Sequence, residues 1–86
     1  MDELVAFVLS GKVRVKILRI LSKSKKTPTI LADDVQTHQS TTSRTLKDLE
    51  EKGLVECLTP NNKRSRIYTT TAKGKKVYEE VSRILP

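Results

Sequence analysis

Residues 29–55, TILADDVQTHQSTTSRTLKDLEEKGLV, hold two helical periods so close together that few folds can use both. Leu31, Ala32 and Val35 give a short first helix one apolar edge. Beyond the polar turn Gln36–Thr37–His38, Thr42, Leu46 and Leu49 recur at i, i+4 and i+7 on a second helix, from about 39 to 52. Gly53 is placed to end that helix as a C′ glycine, and the chain then runs into an apolar strand. Opposite the apolar edge of the second helix stand Gln39, Ser40, Ser43, Arg44 and Lys47, with Thr41 beside them and no carboxylate. Hydroxyls, an amide and a forked guanidinium without acidic neighbours match what the edges of base pairs require.

The flanking segments read as a scaffold for that face. Leu4–Leu9 is apolar at every position, with Asp2 placed to cap the helix and Ser10–Gly11 to break it. A helix with no polar side is buried, and a chain of 86 residues has little with which to cover it all round, so a partner subunit is expected. From Lys12 to about Ser24, Val13, Ile17, Ile20 and Leu21 form an inward stripe, widened by Leu18. Lys12, Lys16, Arg19, Lys23 and Lys26 fall on the other side, either as a solvated face or as a phosphate-facing flank. Thr27–Pro28 is a helix start, with Thr as N-cap and Pro at the first position. After Gly53, residues 54–58 and 66–70 read as two strands around the turn Thr59–Pro60–Asn61–Asn62, and Thr71 caps a closing helix over 72–85. In that helix Val77, Val81, Ile84 and Leu85, with Tyr78, make a wide apolar stripe.

Charge separates the function classes. The net charge of +7 calls for a polyanionic partner, though a basic surface also serves solubility. It is unevenly spread. Residues 1–26 carry seven Lys/Arg against two acids and residues 53–86 seven against three, while residues 27–52 carry three against five. Grip on phosphates would therefore come from the flanks and the hairpin loop, where Lys63, Arg64 and Arg66 gather. Aromatics are 3% of the chain and Trp is missing, which argues against single-strand binding on stacking platforms. With one His and one Cys, neither a catalytic triad nor an ordinary zinc site can be assembled, so no enzyme, cofactor or metal is expected. His38 reads as a turn or N-cap residue and Cys57 as a small core hydrophobe. A lone cysteine also points to an intracellular setting, and the longest apolar run is too short for a membrane span.

The segment LADDVQTHQSTTSRTLKDLEEKGLV, followed by the basic hairpin and then TTTAKGKKVYEEV, resembles the winged helix-turn-helix transcriptional regulators of prokaryotes, MarR-like and ArsR-like. Leu46, Leu49, Glu50, Gly53, Leu54 and Val55 meet the family's pattern at the end of its recognition helix, and SGKVRVKILRIL looks like its first scaffold helix. The resemblance implies a mainly α fold with a small β-hairpin: a three-helix core plus wing, with extra N- and C-terminal helices, over residues 1–86. It implies a sequence-specific binder of double-stranded DNA, a cytoplasmic, nucleoid-associated regulator with no membrane role. The helix at about 39–52 would enter the major groove and the wing around Asn61, Lys63 and Arg64 would touch backbone or minor groove. The candidate DNA-binding residues are Gln39, Ser40, Thr41, Ser43, Arg44, Lys47, Lys63, Arg64 and Arg66. Arg44 is either a reader of guanine or a phosphate contact, and Lys47 is a phosphate contact. The terminal helices 2–9 and 72–85 would form a homodimer. The chain departs from the pattern at Gln36, where many such motifs have Gly, and at Thr37 and Thr42, which replace aliphatics. The alternative is a winged-helix protein–protein interaction module within a larger assembly.

Overall fold

The computed structural model describes residues 2–62 and 64–85, with the side chain of Asp2, the expected first cap, outside the described residues. Seven elements follow in order: α1 (Asp2–Leu9), α2 (Lys12–Leu21), α3 (Pro28–Asp34), α4 (Gln39–Glu51), β1 (Val55–Cys57), β2 (Tyr68–Thr70) and α5 (Ala72–Ile84). This is the winged helix-turn-helix arrangement, with α2, α3 and α4 as the three-helix core and the β1–β2 hairpin as the wing. The strands pair antiparallel, with Val55 opposite Thr70, Glu56 opposite Thr69 and Cys57 opposite Tyr68.

One aliphatic cluster holds these elements together. Ile17, Leu18 and Leu21 of α2, Leu31 of α3, Leu46 and Leu49 of α4, Val77 and Val81 of α5 and Leu54 are all essentially inaccessible, with Tyr68 adding an aromatic ring. Thr42 is also fully buried; its methyl joins the stripe and its Oγ1 donates to the His38 carbonyl at 3.2 Å. That local bond lets a threonine stand where an aliphatic is usual.

The helix ends explain the turns. Thr27 Oγ1 accepts from the Ile30 amide at 3.3 Å, capping α3 ahead of Pro28. At the other end the Gln36 amide donates to the Asp33 carbonyl (3.2 Å) and the Thr37 amide to the Ala32 carbonyl (3.0 Å). This pair of reversed bonds places Gln36 in the left-handed region, at φ 56°. Helix α4 ends the same way, with the Gly53 amide donating to Glu50 and the Leu54 amide to Leu49, both at 2.9 Å, and Gly53 at φ 76°. Glycine adopts that conformation freely and glutamine only against its Cβ, so the two caps have the same geometry at different cost.

Thr71 joins α4 to α5. Its Oγ1 accepts from the Gly74 amide at 3.0 Å and donates to the Gly53 carbonyl at 2.7 Å, while its own amide donates to the Leu54 carbonyl at 3.1 Å. Gly74 lies so close to that carbonyl that a Cβ there would overlap it, and would come within 2.6 Å of Thr70 Cγ2.

Several expectations change. Helix α2 ends at Leu21 rather than near Ser24, where Ser22 Oγ donates back to the Leu18 carbonyl at 2.7 Å. The chain turns, and Lys26 then bridges β2: its amide donates to the Tyr68 carbonyl (3.1 Å) and its carbonyl accepts in return from the Tyr68 amide (2.8 Å). The hairpin strands are shorter than the expected 54–58 and 66–70. Helix α1 is less greasy outside than its composition implies. Val5 and Val8 are buried in the chain's own core, Leu4, Phe7 and Leu9 pack half-buried against it, and Ala6 and Glu3 face outward. Phe7 is also screened by cations, with the Arg14 guanidinium 4.0 Å from its ring centre and the Lys52 ammonium at 5.4 Å. Arg14 further donates to the Phe7 carbonyl at 2.7 Å and to Ser10 Oγ at 2.8 Å. On α5, Val77 and Val81 turn inward, while Ile84 and Leu85 are exposed.

Candidate nucleic-acid interface

Helix α4 presents its polar face clear of the core because Thr42, Leu46 and Leu49 occupy the inward side. Gln39, Ser40, Ser43, Arg44 and Lys47 are all exposed, and Thr41 is half-buried, its carbonyl accepting from Thr45 Oγ1 at 2.8 Å. The exposed side chains divide between two surfaces. Gln39, Ser43 and Lys47 line a cleft of about 690 Å³ whose other walls are the start of α3 and the base of the wing. Ser40 and Arg44 lie outside that lining, on the neighbouring exposed strip of the helix.

The wing wall of the cleft carries Arg64, Ser65 and Arg66, all exposed. Side chains shape this loop. Asn62 Oδ1 accepts from the amides of Arg64 and Ser65, both at 3.1 Å. Thr59 Oγ1 accepts from the Ile67 amide at 3.0 Å and donates to the Ser65 carbonyl at 3.1 Å. Lys63, the other expected wing cation, lies outside the described residues. The one acidic residue lining the cleft, Glu50, stands at the far end of α4, three turns from Gln39. Near the leading turns the cleft is therefore neutral to basic, which suits a polyanion.

The cleft is also lined by Thr27, Thr29 and Ser65, which the sequence does not mark as site residues. Thr29 matters most, because its Oγ1 accepts a hydrogen bond from Gln39 Nε2 at 2.9 Å, linking α3 to the first residue of α4. The α2 cations do not form the unbroken stripe expected of them. Lys12, Lys16 and Arg19 are exposed on α2 and Lys23 lies past its end, whereas Lys26 is partly buried and pairs with Asp34 at 3.8 Å. Cys57 is half-buried on β1 and His38 is the exposed N-cap of α4, with no side-chain capping bond. Among the described residues no three His, Cys, Asp or Glu gather as a metal site. No helix among them is long and apolar enough to cross a membrane.

No curated protein sequence matches the chain. Solved structures match its fold closely. The transcriptional regulator BldR from Sulfolobus solfataricus superposes with a TM-score of 0.79 at 28% identity, covering 87% of this chain and 55% of that one. The adhesin competence repressor AdcR from Streptococcus pyogenes gives 0.76 at 21% identity, covering 96% and 68%. Lactococcus lactis ZitR, solved in complex with DNA, gives 0.73 at 22% identity, covering 83% and 49%. The chain spans about half the length of BldR and of ZitR. The family profile described as the HVO_A0261 N-terminal domain matches residues 2–86, and the chain belongs to that family.

Proposed function

We propose that the chain is a sequence-specific regulator of transcription that binds duplex DNA, with α4 in the major groove and the wing on the backbone or minor groove. The observation that carries this reading is the exposed, carboxylate-free leading face of α4 beside a cleft walled by Arg64 and Arg66. Such a face contributes nothing to the core, and its donors and acceptors suit base edges and phosphates. The likeness to BldR, a transcriptional regulator, and to ZitR, solved with DNA, supports it. Gln39, Ser40, Thr41, Ser43, Arg44 and Lys47 supply the groove contacts and Lys63, Arg64 and Arg66 the wing contacts. The protein acts in the cytoplasm, on the nucleoid, without metal or cofactor.

It works as a homodimer through its terminal helices. Much of α1 is covered within the chain, so the apolar surface left for a second copy centres on Ile84 and Leu85, 59% and 40% exposed. Two-fold pairing would aim two α4 helices at successive major grooves about 34–36 Å apart and favour a palindromic site.

Fluorescence titration of labelled random duplexes across a salt series tests the reading. Affinity should fall steeply, with a slope of about −0.9 in log K per phosphate neutralised. No binding at low salt would overturn it and favour a protein–protein interaction module.

A further inference from the structure

Gln39 is the first residue of α4, exposed, and lines the cleft between that helix and the wing. A glutamine so placed would ordinarily sample many rotamers, and an amide that rotates freely offers donors as readily as an acceptor. Here it is tied. Nε2 donates to Thr29 Oγ1 at 2.9 Å, across the turn that joins α3 to α4. That bond uses one of the two amide protons and holds the side chain against α3. It leaves Oε1 as an acceptor beside the second Nε2 proton as a donor.

An acceptor next to a donor is the complement of the adenine major-groove edge, where N6 donates and N7 accepts. Guanine presents two acceptors there, O6 and N7, so that the amide oxygen would face an acceptor and find no proton. Resting on the reading of the chain as a duplex-DNA binder, we propose that Gln39 is a specificity-determining residue that selects adenine over guanine at one position of each half-site, and that Thr29 is the positioning residue that holds its side chain in place. Thr29 is well anchored for the task. It follows Pro28 in the first turn of α3, which Thr27 caps through the Ile30 amide. Water competes for the Thr29–Gln39 bond in the free protein, where both side chains are exposed. Docking of a base pair excludes that water and strengthens the bond at the moment when it orients the reader.

The experiment is selection of binding sites from random duplexes with the 86-residue chain, followed by titration of the selected site with adenine replaced by guanine at each position in turn. Wild type should show one position per half-site where adenine is preferred about tenfold or more, in the range expected for a bidentate contact. Gln39→Ala should abolish the preference there and leave the other positions unchanged. Thr29→Val, which keeps the shape and removes the acceptor, should weaken the same preference several-fold with little change in affinity for random DNA, and Thr29→Ser should restore it. Thermal melts will confirm that each variant is folded, as expected for exposed positions. Unchanged base preference in Gln39→Ala, or a uniform loss across all sequences, would overturn the assignment and make Gln39 a phosphate contact. A Thr29→Val profile identical to wild type would remove Thr29 from the proposal's second half. Failure of wild type to bind any duplex at low salt would instead refute the functional reading itself.

Discussion

Replacing Gln36 by glycine should stabilise the protein, although glycine is normally a destabilising choice. At φ 56°, Gln36 occupies the left-handed region at the end of α3, held there by the reversed bonds to Asp33 and Ala32. An L-residue pays roughly 1–2 kcal/mol for that conformation because its Cβ crowds the following carbonyl. Glycine avoids this but loses more backbone freedom on folding, by roughly 0.5–1 kcal/mol. The difference favours Gln36→Gly by about 0.5–1 kcal/mol. The exposed side chain takes little packing away with it. For a domain of this size such a gain raises Tm by roughly 2–8 °C. Circular dichroism melts and urea midpoints on wild type and variant measure it directly. Gln36→Ala is the necessary control, since it trims the side chain and keeps the backbone penalty, and so should be near neutral. A Gln36→Gly protein that melts at or below wild type would refute the strain argument. An equal gain in Gln36→Ala would transfer the effect from backbone to side chain.

Gly74→Ala should destabilise by about 3 kcal/mol, at the upper end of overpacking costs, because the added methyl meets the Leu54 backbone carbonyl, which cannot rotate away; urea unfolding will show it. Thr70→Val should be neutral or stabilising by about 1 kcal/mol in the same assay, because Thr70 Oγ1 is buried with no hydrogen-bond partner among the described residues. Arg44→Ala and the pair Arg64→Ala/Arg66→Ala should differ in DNA titrations. The first should cost roughly 1–3 kcal/mol and relax preference at one base pair, and the second should weaken all duplexes alike. Ile84→Glu should shift sedimentation equilibrium toward monomer at micromolar concentration while leaving the circular dichroism spectrum of the folded chain unchanged, since Ile84 lies 59% exposed at the end of α5.

What could be read from the sequence followed from periodicity. Leu46 and Leu49 recur with the helical repeat, so the face they leave outward, from Gln39 to Lys47, was legible before any coordinates. Thr27–Pro28, Gly53 and Thr71 are chemical punctuation with a single structural meaning each, and all three caps form as expected. The Lys26–Tyr68 bridge was not legible, because a single paired residue has no alternation to detect. Nor was the cover on α1: a run of apolar residues states that burial is required, and it does not say that α2 and α5 of the same chain provide most of it. The Thr29–Gln39 bond joins residues ten apart across a turn whose geometry depends on Gln36 adopting a conformation its side chain disfavours. No local pattern encodes such a contact.

The joint at Thr71 has a kinetic meaning. The amides of Leu54, Thr71 and Gly74 are donated into bonds between α4, the strand entry and α5, beside the fully buried Leu49 and Leu54. Those protons should exchange with solvent only in openings that separate α4 from α5. The amides of Arg64 and Ser65 depend on a single exposed asparagine side chain, and they exchange through small local openings that leave the core intact. The joint is thus expected to stay closed while the loop opens. On the proposed DNA-binding reading, a duplex of slightly unfavourable groove width would be accommodated by the loop, while the core would hold α4 in register.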